Sequence, residues 1–120
     1  MQKIFSMIGF AQKAGKISSG TMAARSSLIR QRAYLLIMSY DISENTRESL
    51  VTVCKKQKIP WVTLGNKFEL GTSAGKAYRV AVTINDPGMA NSIIELLQSR
   101  GEELNSTGWL NGQSKSTRDS

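Results

Sequence analysis

Tyr34-Leu35-Leu36-Ile37-Met38-Ser39-Tyr40 is an apolar run of strand length. A strand with one wet face alternates apolar and polar residues. This run does not alternate, so it predicts a central strand covered on both faces. Its neighbours supply the cover. Upstream, Gly20 and Thr21 open a helix running to about Arg32, with Thr21 as the cap, Ala24 and Leu28 facing inward and Arg25 and Arg32 outward. Downstream, Asp41 or Ser43 caps a helix with Leu50, Val53 and Cys54 as its buried stripe. That helix finishes in Lys55-Lys56-Gln57-Lys58, cations favoured by the helix dipole.

The same reading extends to both ends. Residues 2–14 carry Ile4, Ile8 and Ala11 at helical spacing and stop at Gly15, the usual residue beyond a helix end. Lys16 to Ser19 is a short extended piece. After Pro60, Trp61-Val62-Thr63-Leu64 is a strand. Asn66-Lys67-Phe68-Glu69 has the form of a capping box and opens a short helix ending near Gly71. Tyr78 to Ile84 reads as another strand, alternating around Val80 and Val82. Asp86-Pro87 starts the last helix, which holds Met89, Ile93, Leu96 and Leu97. This alternation predicts an α/β fold: one three-layer α/β/α sandwich over residues 1–100, built on a small mixed sheet of about four strands. Beyond Gly101 the composition turns to Asn, Ser, Thr, Gly and Gln, and residues 101–120 are expected to be a disordered tail. Trp109-Leu110 is its one candidate docking segment.

The composition narrows the chemistry. The 120 residues hold no histidine and one cysteine, Cys54, which excludes an internal disulfide and a zinc site of the usual kind. The same absence removes Ser-His-Asp and Cys-His nucleophiles, and no other activated group stands out. The expectation is a protein without catalytic residues, cofactor or metal. Lys13 and Lys16 follow the first apolar stretch closely, so it reads as an amphipathic helix and not as a signal or membrane span. A lone cysteine suits a reducing compartment, so a cytoplasmic location is expected. The formal net charge is +7, and fourteen Lys/Arg against six Asp/Glu fall in residues 1–100. A basic folded body points to a polyanion, with nucleic acid the leading candidate, although a charge kept for solubility is the plainer alternative.

One ordered set of motifs goes further. Gly9-Phe10-Ala11-Gln12-Lys13-Ala14-Gly15-Lys16 is followed by Ser19-Gly20, Tyr40-Asp41, Ser43-Glu44-Asn45-Thr46-Arg47 and Ile59-Pro60. Then come Glu69-Leu70-Gly71-Thr72, Gly75-Lys76, Tyr78-Arg79-Val80 and Asp86-Pro87-Gly88. Taken together over about residues 3–98, this set resembles the ribosomal protein L7Ae superfamily, including L30e, and most of all its small bacterial YlxQ-type members. The resemblance implies an α/β/α sandwich that grips a kink-turn, a sharply bent RNA helix with sheared G·A pairs. In such proteins the start of the second helix meets the guanines, and a loop before the last strand covers a flipped-out base. Carried over, the RNA-binding positions are Gly20, Thr21, Met22, Arg25 and Ser26 at the helix start, with Lys76, Ala77, Tyr78 and Arg79 in the loop. Structured RNA, ribosomal RNA above all, is the implied partner, with ribosomal or translation proteins as further ones.

The chemistry of those positions is mixed. Free N–H groups at a helix start suit a phosphate or guanine oxygen, Lys76 and Arg79 can neutralise phosphates, and Tyr78 can stack on a base. Arg25, Arg30 and Arg32 extend a basic flank. Kink-turn readers carry Asn-Glu and a Lys where this chain has Met22-Ala23 and Ser26, so direct readout of G·A pairs is missing. Each position also has a plainer role: turns for Gly20 and Gly75, solvated charge for Lys76 and Arg79, core for Tyr78. A protein-interaction module that has kept the fold and lost RNA readout is the competing reading.

Overall fold

The computed structural model describes residues 2–100; the expected tail, Trp109-Leu110 included, lies outside them. The elements run α1 (Gln2–Lys13), β1 (Ile17–Ser19), α2 (Thr21–Ile29), β2 (Leu35–Met38), α3 (Glu44–Gln57), β3 (Trp61–Thr63), α4 (Lys67–Ser73), β4 (Ala81–Ile84) and α5 (Pro87–Ser99). The four strands form one mixed sheet in the order β1-β4-β2-β3. β4 is antiparallel to both β1 and β2, and β2 is parallel to β3.

Why β2 lacks alternation is now visible. Leu35 and Ile37 enter one core with Ile4, Ile8, Leu70, Ile93 and Leu97, from α1, α4 and α5. Leu36 and Met38 enter a second core with Ala24, Leu28, Leu50 and Cys54, from α2 and α3. Both faces are dry, so both sets of side chains are apolar. Cys54 is a core residue, and burial pushes its thiol up to about 12. In the folded protein at pH 8, iodoacetamide is expected to label Cys54 far more slowly than in urea; equal rates would contradict its burial.

A polar chain runs through the layer under α2. Thr83 donates to Asn85 Oδ1 at 2.9 Å, Asn85 Nδ2 donates to Ser18 Oγ at 2.9 Å, and Ser18 and Ser27 share a hydrogen bond of 2.6 Å. It joins β4, β1 and α2 with every member partnered, so burying it is tolerated.

Several boundaries differ from the sequence reading. Ser43 caps α3, and Asp41 instead accepts from the Lys67 N–H at 3.0 Å. Asn66 and Glu69 do form the capping box, and Asp86 caps α5 with Pro87 in the first turn. The N-cap of α2 is Gly20, at φ 102°, and not Thr21, which lies inside the helix. A positive φ there favours glycine, so the side-chain cap is forgone. α2 ends at Ile29 instead of Arg32 because Gln31 turns left-handed, at φ 61°. β4 begins only at Ala81, because Arg79 N–H bonds back to Lys67 O at 2.9 Å and keeps residues 78–80 in a loop. Tyr78 is accordingly 56% exposed and not part of the core.

Candidate nucleic-acid interface

The candidate interface gathers where β2 and β3 end and β4 begins. Two segments far apart in sequence meet there through Arg79. Its Nε donates to Ser19 Oγ at 3.4 Å and its Nη1 to Tyr78 O at 2.7 Å. A Cβ added at Gly20 would stand 3.7 Å from Arg79 Nε. Gly20 N–H is held by Ala81 O at 2.9 Å. The helix start and the loop expected from the sequence are therefore one surface.

No side chain caps α2, so its first-turn N–H groups are left for an outside acceptor. Met22 stands 86% exposed beside them. Met22, Arg25, Ser26, Ile29 and Arg30 line a shallow groove along the outer face of α2. Arg25 Nε donates to Ser49 Oγ at 3.2 Å, which steadies the guanidinium against α3. Arg25 and Ser26 thus lie along α2 and not at its junction with the loop.

The loop is shaped by close approach. Lys76 N–H bonds Gly71 O at 2.8 Å, and Gly71 lies against the backbone of Tyr78. Lys76, Ala77 and Tyr78 are exposed, and Arg79 is half-buried. Beside them is a residue that the sequence reading passed over. Lys67 Nζ lies 5.4 Å from the ring centre of Phe68 and 5.7 Å from that of Tyr78. An ammonium between two exposed rings offers phosphate neutralisation and base stacking at one point. The capping box could have pointed to it, since Lys67 directly follows the cap and is kept near the surface. Tyr40, 68% exposed, adds a ring where the chain leaves β2.

Asp41 links the loop after β2 to this surface. Its carboxyl is held below the ordinary 3.8, first by the Ser39 hydroxyl and then by the backbone and charge of Lys67, against a desolvation that raises it. Ser39 Oγ is buried and meets no partner in hydrogen-bond geometry, so the Lys67 N–H at 3.0 Å is the firmer contact. A depressed carboxyl stabilises the fold above its unfolded value and loses that contribution as pH falls through the folded value. Asp41→Asn is therefore expected to flatten slightly the fall in melting temperature below about pH 4. An unchanged acid limb would show that Asp41 is not coupled to folding.

The described residues contain no group of three or more His, Cys, Asp or Glu able to hold a metal ion. Among the described residues, no helix is long and apolar enough to cross a membrane.

Comparison with known proteins agrees with this architecture. The chain is 34% identical over 93 residues to RNA-binding protein YlxQ of Bacillus subtilis, covering 78% of this chain and 93% of that one. It is 28% identical over 104 residues to the large ribosomal subunit protein eL8 of Thermoplasma volcanium, covering 86% of each. A solved structure of a Bacillus halodurans protein of unknown function superposes with a TM-score of 0.78 at 26% identity, over 82% of this chain and 99% of that one. The Giardia lamblia 15.5kD RNA binding protein shares the fold, with a TM-score of 0.69 at 18% identity over 82% of this chain and 87% of that one. Residues 2–94 match the Ribosomal protein L7Ae/L30e/S12e/Gadd45 family, and the chain belongs to it.

Proposed function

We propose that this chain is a non-catalytic protein that binds structured RNA on the ribosome, with ribosomal RNA as its ligand and residues 1–100 as its binding domain. The observation that carries the reading is the Arg79 joint, which sets the uncapped start of α2 beside the loop of Lys76, Ala77 and Tyr78. Family membership and the names of the YlxQ and eL8 relatives support it. Gly20, Thr21 and the α2 N–H groups take phosphate or base oxygens. Lys67, Lys76 and Arg79 neutralise backbone, Tyr78 and Phe68 stack, and Met22 packs on a sugar or base edge. With Met22, Ala23 and Ser26 at the reading positions, contacts to backbone and shape outweigh base readout. The reading needs no cofactor or metal and places the protein in the cytoplasm.

The test is a salt titration of binding to a kink-turn RNA and to a plain duplex. Affinity is expected to fall steeply with salt, and Lys76→Ala with Arg79→Ala should reduce the slope by about two. Undetectable binding at low salt would end the reading. Equal binding to both RNAs would keep RNA binding and remove kink-turn preference. Exposed Met22 and Ile29 in one groove favour a second reading, a protein partner on α2. A nuclease-resistant complex disrupted by Met22→Glu is its signature.

A further inference from the structure

Four helices end in the same backbone turn, in which the residue past the end is left-handed and its neighbour bonds back into the last turn. On one side of the sheet the turn residue is glycine: Gly15 after α1, at φ 72°, and Gly75 after α4, at φ 76°. On the other side it is Gln31 after α2, at φ 61°, and Lys58 after α3, at φ 59°. The bonds that define the turn are present in both, Arg32 N–H to Ser27 O at 2.9 Å and Ile59 N–H to Cys54 O at 2.9 Å. Among the described residues these two are the non-glycine residues with positive φ, and they face each other. Gln31 Nε2 donates to Gln57 Oε1 at 2.9 Å, and both turns line one surface hollow with Tyr34. Long polar side chains are thus held at two positions where glycine fits with less strain, which marks the turns as a candidate functional surface.

The charge there is of one sign. Arg30, Arg32, Lys55, Lys56 and Lys58 are all exposed on or beside the two turns. Neither residues 1–40 nor residues 49–68 contain an Asp or Glu. Glu44 and Glu48 lie toward the opposite end of α3. Pro87 lines an adjoining hollow, while Asp86 before it lines another with Met7 and Phe10, where its carboxylate accepts from Met89 N–H at 2.9 Å. The register places this surface at the far end of the sheet from the interface described above. Tyr34 N–H bonds Ile84 O, and Leu35 pairs with Ile84, whereas Met38 pairs with Ala81. Strands of this length span about 13 Å, so one folded RNA can reach both ends.

We infer that the paired turns at residues 30–34 and 55–60 form a second RNA-backbone site, so that the protein grips RNA at both ends of its sheet. The inference rests on the RNA-binding reading above for the class of ligand. Five cations with hydrogen-bond donors and no acceptors suit a row of phosphates, and half-exposed Tyr34 offers a ring beside them.

Lysine acetylation read by mass spectrometry tests it on the full chain, with a kink-turn hairpin carrying a long duplex arm as probe. RNA is expected to protect Lys55, Lys56 and Lys58 as well as Lys67 and Lys76. Protection of residues 55–58 should persist in the Lys76→Ala, Arg79→Ala protein. Lys55→Gln with Lys56→Gln should lower the salt slope by about two while Lys67 and Lys76 stay protected. Protection confined to Lys67 and Lys76 overturns this inference and leaves the first interface standing. Protection confined to residues 55–58 does the reverse. Equal protection by polyglutamate or by phosphatidylglycerol vesicles also overturns it, because the surface would then answer to charge and not to RNA.

Discussion

Gly71→Ala is expected to destabilise the protein by about 3 kcal/mol and to weaken RNA binding at the same time. Gly71 lies in α4, buried against the loop that carries Lys76 and Arg79. A Cβ there would meet the Tyr78 backbone, 2.6 Å from its carbonyl carbon and 2.7 Å from its nitrogen, with the Cα nearer still. A flexible side chain could swing away from such a contact, but a backbone cannot. Either α4 shifts from the core that holds Leu70 and Ala74, or residues 76–79 lift from the surface. In the second case the Lys76 N–H to Gly71 O and Arg79 N–H to Lys67 O bonds are lost, and Arg79 leaves Gly20. Chemical denaturation and RNA titration together check this. A variant with native stability and native affinity would show that the approach of α4 to the loop is not rigid.

Ile37→Ala is expected to cost about 3 to 4 kcal/mol. Ile37 is fully buried in β2, paired with Val62 on one side and Val82 on the other, all three in one core. Removing its outer carbons leaves a cavity that three strands and the helices above them cannot close without breaking ladder bonds. For a domain of this size the melting temperature should drop by on the order of 15 °C or more. Ile37→Val should cost about 1 kcal/mol, since most of the volume remains. Comparable losses for the two variants would mean that the site relaxes, and the two-sided packing of β2 would need revision.

Much of the fold was legible because apolar pattern and caps acted locally. The unbroken run at Leu35–Met38 announced a strand covered twice, and Asn66-Lys67-Phe68-Glu69 and Asp86-Pro87 marked helix starts that the structure keeps. The misplacements have long-range causes. Tyr78 shared the alternation of Val80 and Val82, yet Arg79 bonds to Lys67 and holds it outside. Of the two caps open for α3, Ser43 serves, and Asp41 holds Lys67 instead, 26 positions away. The left-handed Gln31 shortens α2, and no local rule puts a glutamine there. In the candidate site, the loop and the helix start came from the family resemblance. Lys67 did not: the capping box shows only that it lies near the surface, and its place between two rings depends on how α4 meets the loop.

The pairing of β1 with β4 also sets an order in time. Ile17 to Ser19 bond to residues 82–84, and Ser19 meets Arg79 across 60 positions of chain. Closing so long a loop is a late and entropically costly event. A nascent chain that has not yet exposed β4 has β1 and α2 but lacks the β4 ladder that sets Arg79 beside Gly20. The candidate interface around Arg79 and Gly20 therefore assembles only once the chain is made through β4.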